Sequence, residues 1–178
     1  MDAVLLDLPF RGTWLVQNSP ARRVPSHGTT LFGVTYAIDF IAVDGRGRSA
    51  PRTWRTVLSV EAPEVFRGFG EPILAPADGT VVLTHDGEPD HEGRRSQLAL
   101  VPYALGQARR VRPGQRVRSG DQLGECGNSG NSTEPHVHVQ VTDSTDWPTA
   151  RGLPLAFRRS DGAWVPAESE IVTGRLPA

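Results

Sequence analysis

Short apolar segments broken by frequent glycine and proline restrict this chain to a fold made mainly of β-strands. The sequence contains 19 Gly and 15 Pro in 178 residues, and its apolar segments are residues 34–43, 73–74, 81–83, 98–101 and 137–141. Helical periodicity is weak, and only residues 63–69 could form one or two helical turns. Short strands with a turn about every ten residues are typical of barrels and sandwiches. We therefore expect a mainly β domain with a compact antiparallel, barrel-like sheet.

Length and composition favour one domain and argue against several kinds of partner. With 178 residues, of which 38% are hydrophobic, the chain can bury one core. We expect a single domain over residues 1–178, with its core at about 25–145, an N-terminal lead at 1–24 and an irregular, proline-rich C-terminal strap at 146–178. The net charge of -1 argues against a nucleic-acid partner. No apolar stretch approaches the roughly 20 residues of a membrane-spanning helix, and the oligomeric state stays open.

The first residues and the cysteine content bear on the compartment. The N-terminal stretch has no basic leader and carries Asp2 and Asp7, so it does not read as a secretory signal. We expect the protein to be cytoplasmic by default or to be exported by another route. Cys126 has no second cysteine with which to form an internal disulfide, and we expect it to be a small buried residue.

Two stretches share a rhythm of apolar residues and turn residues. Residues 73–82 read as a strand, a tight turn at Asp78 and Gly79, and a second strand. Residues 111–124 place valines between glycines at turn positions. Each stretch is predicted to be a hairpin-and-turn unit of the barrel.

His136, Val137 and His138 are the strongest indication of chemistry. They follow Pro135 and a glycine-rich turn at residues 127–132. Side chains at positions i and i+2 of an extended segment point to one face, so both imidazoles address one point while Val137 faces the other way. A point served by two imidazoles is a natural place for a metal ion. Two unrelated histidines on a surface strand are the alternative.

An acidic residue inside an apolar strand supplies a partner for these histidines. Alternation in residues 36–40 places Ile38 and Phe40 in the core and Asp39 on the opposite face. Because a charge on a half-buried strand normally needs a partner, Asp39 and the upstream His27 form the other half of a plausible metal site. The alternatives are an aspartate on a solvated face and a histidine in a loop.

These segments together resemble the lysostaphin and β-lytic family of zinc endopeptidases, which cut peptide cross-links in bacterial cell walls. The resemblance covers roughly residues 27–141 and implies a lysostaphin-type peptidase fold. Its strongest part is residues 111–139, which read Val-x-x-Gly-x-x-Val-x-x-Gly-x-x-x-Gly, then Gly-Asn-Ser-Gly-Asn-Ser, then Pro-His-x-His. The family often also has the Ala-Ile-Asp-Phe segment that is found here at residues 37–40.

The resemblance implies a metal centre and a reaction. In the family, the residues that match His27, Asp39 and His138 bind zinc, and the residue that matches His136 is a nearby catalytic imidazole. Three protein ligands leave a fourth position for water, whose pKa falls to about 7 when it is bound to zinc. The implied cofactor is Zn2+, and the implied reaction is hydrolysis of a peptide bond by metal-activated water. The implied partner is a peptide or peptidoglycan substrate.

A further catalytic histidine of the family has no counterpart in this sequence. The family usually carries it shortly before the Val-x-x-Gly repeat, where residues 101–108 contain no histidine. Two hypotheses follow. The chain is a catalytically impaired relative that binds metal or peptidoglycan, or a segment with this histidine is missing between Leu98 and Val111. The remaining histidines, His85 and His91, lie in a polar, acidic stretch and are predicted to be solvated loop residues.

The glycine and valine pattern is also similar to that of the biotinyl and lipoyl carrier barrels. Those carriers attach their prosthetic group to a lysine. All 19 basic residues of this chain are arginine, so covalent carriage is excluded. The similarity indicates only related hairpins.

Overall fold

The structure is a computed structural model that describes residues 2–51, 62–84, 110–128 and 134–174. Within these ranges the chain forms short β-strands and two 3-10 turns, Leu31–Tyr36 and Pro63–Val65. The strands are β1 (Val4–Leu6), β2 (Gly12–Gln17), β3 (Ile38–Ala42), β4 (Pro72–Leu74), β5 (Gly79–Thr80), β6 (Arg116–Val117), β7 (Gln122–Glu125), β8 (Val137–Val139), β9 (Val141–Thr142), β10 (Gly152–Leu153), β11 (Leu155–Arg159), β12 (Gly162–Trp164) and β13 (Ile171–Gly174). The predicted mainly β, largely antiparallel class is confirmed, although the described strands form several small sheets and no closed barrel.

The largest sheet combines strands from both ends and from the middle of the chain. Its order is β13-β2-β3-β8, and each pairing is antiparallel. β3 lies at an inner position and is buried along its whole length. β2 and β13 come from the segments predicted as a lead and a strap, so both flanking segments help to hold β3.

An aromatic cluster packs against β3. Ile38 and Phe40 are fully buried, as alternation predicted. The Phe40 ring lies edge-on to the rings of Phe10 and Phe157, with ring-centre distances of 4.9 and 5.6 Å. Phe10 also stacks on Trp14 at 4.6 Å. Because each such aromatic pair contributes about 0.5–1.5 kcal/mol beyond the area it buries, the cluster stabilises the apolar face of β3.

The two stretches with a shared rhythm pair with each other. β4 lies against β7 and β5 lies against β6, both antiparallel. The prediction of two separate hairpins is therefore wrong, and the second strand of residues 73–82 is β5, which ends before the apolar residues 81–83. Turn residues show where the chain bends, but the partner of a strand depends on contacts that are distant in sequence.

The C-terminal residues form strands where an irregular strap was predicted. β11 pairs in parallel with β1 and in antiparallel orientation with β12, and β13 pairs with β2. Pro154 separates β10 from β11, and Pro166 lies between β12 and β13. Proline cannot donate to a strand ladder, so these prolines lie between the strands and do not prevent them from forming.

Residues 34–37 do not extend β3 as the sequence predicted. Residues 34–36 belong to the 3-10 turn Leu31–Tyr36, in which Phe32 and Gly33 have φ values of 56° and 75° and which Ala37 caps. Glycine adopts this left-handed conformation without a steric penalty. The turn packs closely on β9 and β10, since a Cβ added at Gly33 would lie 2.4 Å from Thr142 Cγ2. Tertiary packing therefore determines the start of β3 at Ile38.

Gly152→Ala is expected to destabilise the protein and to displace this turn. A Cβ at Gly152 would lie 2.4 Å from the backbone oxygen of Gly33. Overpacking of this kind typically costs about 1–3 kcal/mol, which thermal unfolding can measure. Gly79→Ala is the matched control because a Cβ there meets nothing within 4 Å. Equal melting temperatures for the two variants would contradict the close packing.

Cys126 is buried in the core cluster, as predicted. Among the described residues, no helix combines the length and the apolar character that crossing a membrane requires.

Candidate metal centre

The structure brings together the three residues that were predicted as metal ligands. One ligand atom each from His27, Asp39 and His138 lies within 4.8 Å of the other two. Nε2 of His27 is 3.0 Å from Oδ2 of Asp39, and Nδ1 of His138 is 2.8 Å from Oδ1 of Asp39. The two imidazole ring centres are 5.0 Å apart. A single ion could therefore contact all three side chains.

Strand pairing positions two of these residues. Asp39 of β3 lies directly opposite His138 of β8, and directly opposed side chains share one face of a sheet. Val137 and Val139 point to the other face and are buried in the core. His27 belongs to the loop between β2 and the 3-10 turn. The N–H of Ser26 donates to the carbonyl of Thr35 at 3.0 Å and ties this loop to the turn.

Asp39 is ionised although it is buried. Burial raises its pKa, but hydrogen bonds with His138 and His27 and the charges of His138 and His136 together hold the pKa of Asp39 well below its usual range. Burial lowers the pKa of His138, whereas its hydrogen bond with Asp39, the Asp39 charge and the Gln140 contact raise that pKa overall. The centre therefore contains an anionic oxygen donor between two imidazoles.

His136 lies beside this cluster and is oriented by the backbone. Its Nε2 is 4.0 Å from Asp39 Oδ1. Its Nδ1 is 3.0 Å from the carbonyl oxygen of Glu134. Because a carbonyl oxygen can only accept a hydrogen bond, Nδ1 carries a proton. Nε2, on the side of Asp39, is therefore the ring nitrogen that can take up or release a proton.

Polar residues that sequence reasoning missed also contact the centre: Asn18, Ser26 and Gln140. Gln140 follows His138 by two positions, so the same-face rule that was applied to His136 could have found it. The Asn18 amide donates to Asp39 Oδ2 at 2.8 Å. No local pattern indicates Asn18, because it reaches Asp39 through the pairing of β2 with β3.

The donor set fits a transition-metal ion. Two imidazoles and a carboxylate are common zinc ligands, and three protein ligands are typical of catalytic sites that keep one position open. In the part of the chain that the structure describes, no other cluster of three or more such side chains has metal-binding spacing.

Comparison with known proteins gives an independent result. Residues 64–149 match the sequence model of peptidase family M23. The matched stretch contains His136 and His138, whereas His27 and Asp39 precede it. The structure therefore brings His27 and Asp39, which precede the matched stretch, close to His136 and His138 within it.

Several curated proteins are similar to this chain. The glycyl-glycine endopeptidase ALE-1 of Staphylococcus capitis is 31% identical over 108 residues, which cover 56% of this chain and 29% of the relative. An uncharacterized metalloprotease of Haemophilus influenzae is 35% identical over 78 residues, 40% of this chain and 16% of the relative. The cell division protein DipM of Caulobacter vibrioides is 29% identical over 92 residues, 47% of this chain and 14% of the relative. The matches thus span less than a third of each relative, and no solved structure matches significantly.

The fold and the site together define a mainly β domain with a candidate metal centre of two histidines and one aspartate. The family match and the relatives make this more specific. The match and the relatives support peptidase family M23, the lysostaphin-type metallopeptidases, as the family of this chain. The resemblance inferred from the sequence motifs is confirmed.

Some predictions fall on parts of the chain outside the described residues. His85 and His91 lie there, as do residues 101–108, in which the further family histidine is absent. The hypothesis of a missing segment between Leu98 and Val111 also falls there, apart from residues 110 and 111.

Proposed function

We propose that the protein is a zinc-dependent endopeptidase that hydrolyses peptide bonds, with peptidoglycan cross-links as its substrate class. The observation that carries the proposal is the approach of His27, Asp39 and His138 to within 4.8 Å, with His136 beside them. The match to peptidase family M23 supports peptide hydrolysis. The name of the staphylococcal glycyl-glycine endopeptidase supports a peptide substrate with glycyl-glycine bonds.

His27, Asp39 and His138 would hold the metal ion. A zinc ion with three protein ligands supplies a water of lowered pKa and polarises the carbonyl of the substrate. Asp39 contributes the negative charge that the two imidazoles lack. Its side chain is only 9% exposed, whereas the side chains of His27, His136 and His138 are 20%, 21% and 26% exposed. A peptide can therefore reach the histidines from solvent while the anion stays covered.

His136 would act as the proton-transfer group. The Glu134 carbonyl holds the proton on Nδ1, so Nε2, on the side of the centre, is the nitrogen that would exchange a proton. Such an imidazole can take a proton from an attacking water. Once protonated, it can donate a hydrogen bond to the oxyanion that develops on the substrate.

A catalytically impaired relative is the second candidate. The sequence observation that favours it is the absence of a histidine from residues 101–108. Loss of one member of a catalytic group typically lowers the rate by orders of magnitude. The centre would then bind metal, or contribute to peptidoglycan binding, without turnover.

Turnover and metal content, measured on the same full chain, separate the two candidates. Protein loaded with Zn2+ is incubated with purified peptidoglycan and with synthetic oligoglycine-containing peptides, and new amino termini are quantified. We expect cleavage that a zinc chelator abolishes and that added Zn2+ restores. Bound zinc without cleavage would favour the impaired relative. A chain that binds no zinc would contradict the endopeptidase and the metal-binding form of the second candidate.

A further inference from the structure

Each histidine proposed as a ligand has a second ring nitrogen that points away from Asp39 and contacts a polar side chain. His27 directs Nε2 to Asp39 and Nδ1 to Oγ of Ser26, at 3.0 Å. His138 directs Nδ1 to Asp39 and Nε2 to Oε1 of Gln140, at 2.8 Å. Such outer contacts determine which nitrogen of a neutral imidazole carries the proton. The outer contacts therefore determine which ring nitrogen can bind a metal ion.

The backbone determines the orientation of the Gln140 amide. Its Nε2 donates to the carbonyl oxygen of Phe32 at 2.9 Å. Reversing the amide would place two acceptor oxygens against each other, so Oε1 must face His138. Because Oε1 only accepts, Nε2 of His138 carries a proton. Nδ1, which hydrogen-bonds the Asp39 carboxylate, is then the ring nitrogen that can give up its proton and bind a metal ion.

Ser26 connects His27 to the backbone through a similar chain of hydrogen bonds. Ser26 is 1% exposed, and its hydroxyl donates to the carbonyl oxygen of Val34 at 3.2 Å. A serine hydroxyl has a single proton, so toward His27 the Ser26 oxygen can only accept. Nδ1 of His27 therefore carries a proton. Nε2, which hydrogen-bonds the Asp39 carboxylate, is therefore the nitrogen that gives up its proton when a metal ion binds.

Both chains of hydrogen bonds end on the same 3-10 turn. Phe32 and Val34 belong to Leu31–Tyr36, in which Phe32 and Gly33 are left-handed. A regular strand over these residues would offer the two carbonyl oxygens to a neighbouring strand. The turn offers them instead to Gln140 and Ser26, and close packing against Gly152 holds it in place.

We propose that Ser26 and Gln140 are positioning residues that raise the metal affinity of the centre by keeping a proton on the outer nitrogens of His27 and His138. The inference rests on the metal site of the proposed function and does not depend on turnover. Outer partners orient a ligating imidazole and hold its tautomer, and losing one typically lowers metal affinity about 10- to 100-fold.

The Zn2+ affinity of full-chain variants tests the inference. Ser26→Ala removes one acceptor with a small change in volume, and Gln140→Leu removes the other by replacing the amide with an apolar side chain. We expect each to weaken Zn2+ binding by about 10- to 100-fold, measured by competition with a chromophoric chelator.

Matched controls separate positioning from a general loss of hydrogen bonding. The Ser119 hydroxyl donates to the Asp7 carboxylate, and Gln122 donates to the carbonyl of Gly124 at 3.2 Å. Neither residue contacts the centre in these hydrogen bonds. Ser119→Ala and Gln122→Leu should therefore bind Zn2+ as the unsubstituted protein does. Melting temperatures of the metal-free variants report any loss of folding.

Nitrogen-15 NMR of the unsubstituted, zinc-loaded protein provides a second readout that needs no variant to fold. It distinguishes protonated from metal-bound ring nitrogens. We expect a proton on Nδ1 and zinc on Nε2 for His27, and the reverse arrangement for His138.

Several results would overturn the inference. One is that Ser26→Ala and Gln140→Leu bind Zn2+ as tightly as the control variants do. Another is that NMR finds zinc bound through Nε2 of His138. Absence of zinc from the unsubstituted protein would overturn the proposed function as well. Because the readouts are affinity and ring protonation, a protein that binds zinc but cleaves no peptide still tests the inference separately.

Discussion

Asp39→Ala is expected to lower the affinity for Zn2+ by more than about 100-fold, beyond the usual effect of losing an outer partner. Of the three proposed ligands, only Asp39 carries a negative charge. Its two oxygens lie 2.8 and 3.0 Å from ring nitrogens of His138 and His27, so the carboxylate also holds the two imidazoles together. Chelator competition and metal analysis of the purified chain measure the loss. Asp39→Asn keeps the shape without the charge and should also bind Zn2+ weakly.

Asp44→Ala is the matched control for Asp39→Ala. Asp44 is a second carboxylate close to β3, where it accepts hydrogen bonds from the backbone N–H groups of Arg46 and Arg48. It is not a member of the metal-binding cluster. Asp44→Ala should keep the affinity for Zn2+ even if it weakens the local turn. If the two alanine variants bind zinc equally well, Asp39 is not a ligand.

His136→Ala is expected to lower kcat by about 10²- to 10⁴-fold, the usual contribution of a general acid or base, while Zn2+ binds as before. The variant removes the Nε2 lone pair beside Asp39 but none of the three proposed ligands. Rates of peptide cleavage, measured at saturating zinc, give the change in kcat.

His138→Ala provides the contrast, because it replaces a histidine only two positions away on the same strand segment. It should lose both zinc and turnover, whereas His136→Ala should lose turnover alone. Loss of zinc from His136→Ala would make His136 a fourth ligand and the site structural. Full activity in His136→Ala would exclude it from catalysis.

Local periodicity in the sequence was sufficient to predict which face of the sheet the side chains of β3 occupy. Alternation placed Ile38 and Phe40 in the core, and the structure confirms both. The same rule put Asp39 on the face opposite to them, where the structure finds it hydrogen-bonded to His27 and His138. These predictions succeed because the direction of a strand side chain depends only on the parity of its position.

The outer parts of the site depend on contacts that are distant in sequence. Asn18 reaches Asp39 because β2 pairs with β3. Gln140 and Ser26 have defined roles only because Leu31–Tyr36 forms a turn, and packing on β9 and β10 determines that turn. The sequence predicted a strand there because residues 34–43 are apolar, and apolar character alone does not distinguish a strand from a packed turn.

The sequence by itself determined the strand-rich class, the family and the residue types of the candidate centre, because composition, motif spacing and alternation are local properties. The tertiary structure alone decided which strands became neighbours. It placed β2 between β13 and β3, and it paired β4 with β7 and β5 with β6. It also set Asp39 directly opposite His138. Strand partners join residues far apart in the chain, and their choice follows from the burial of the shared core, which no short segment encodes.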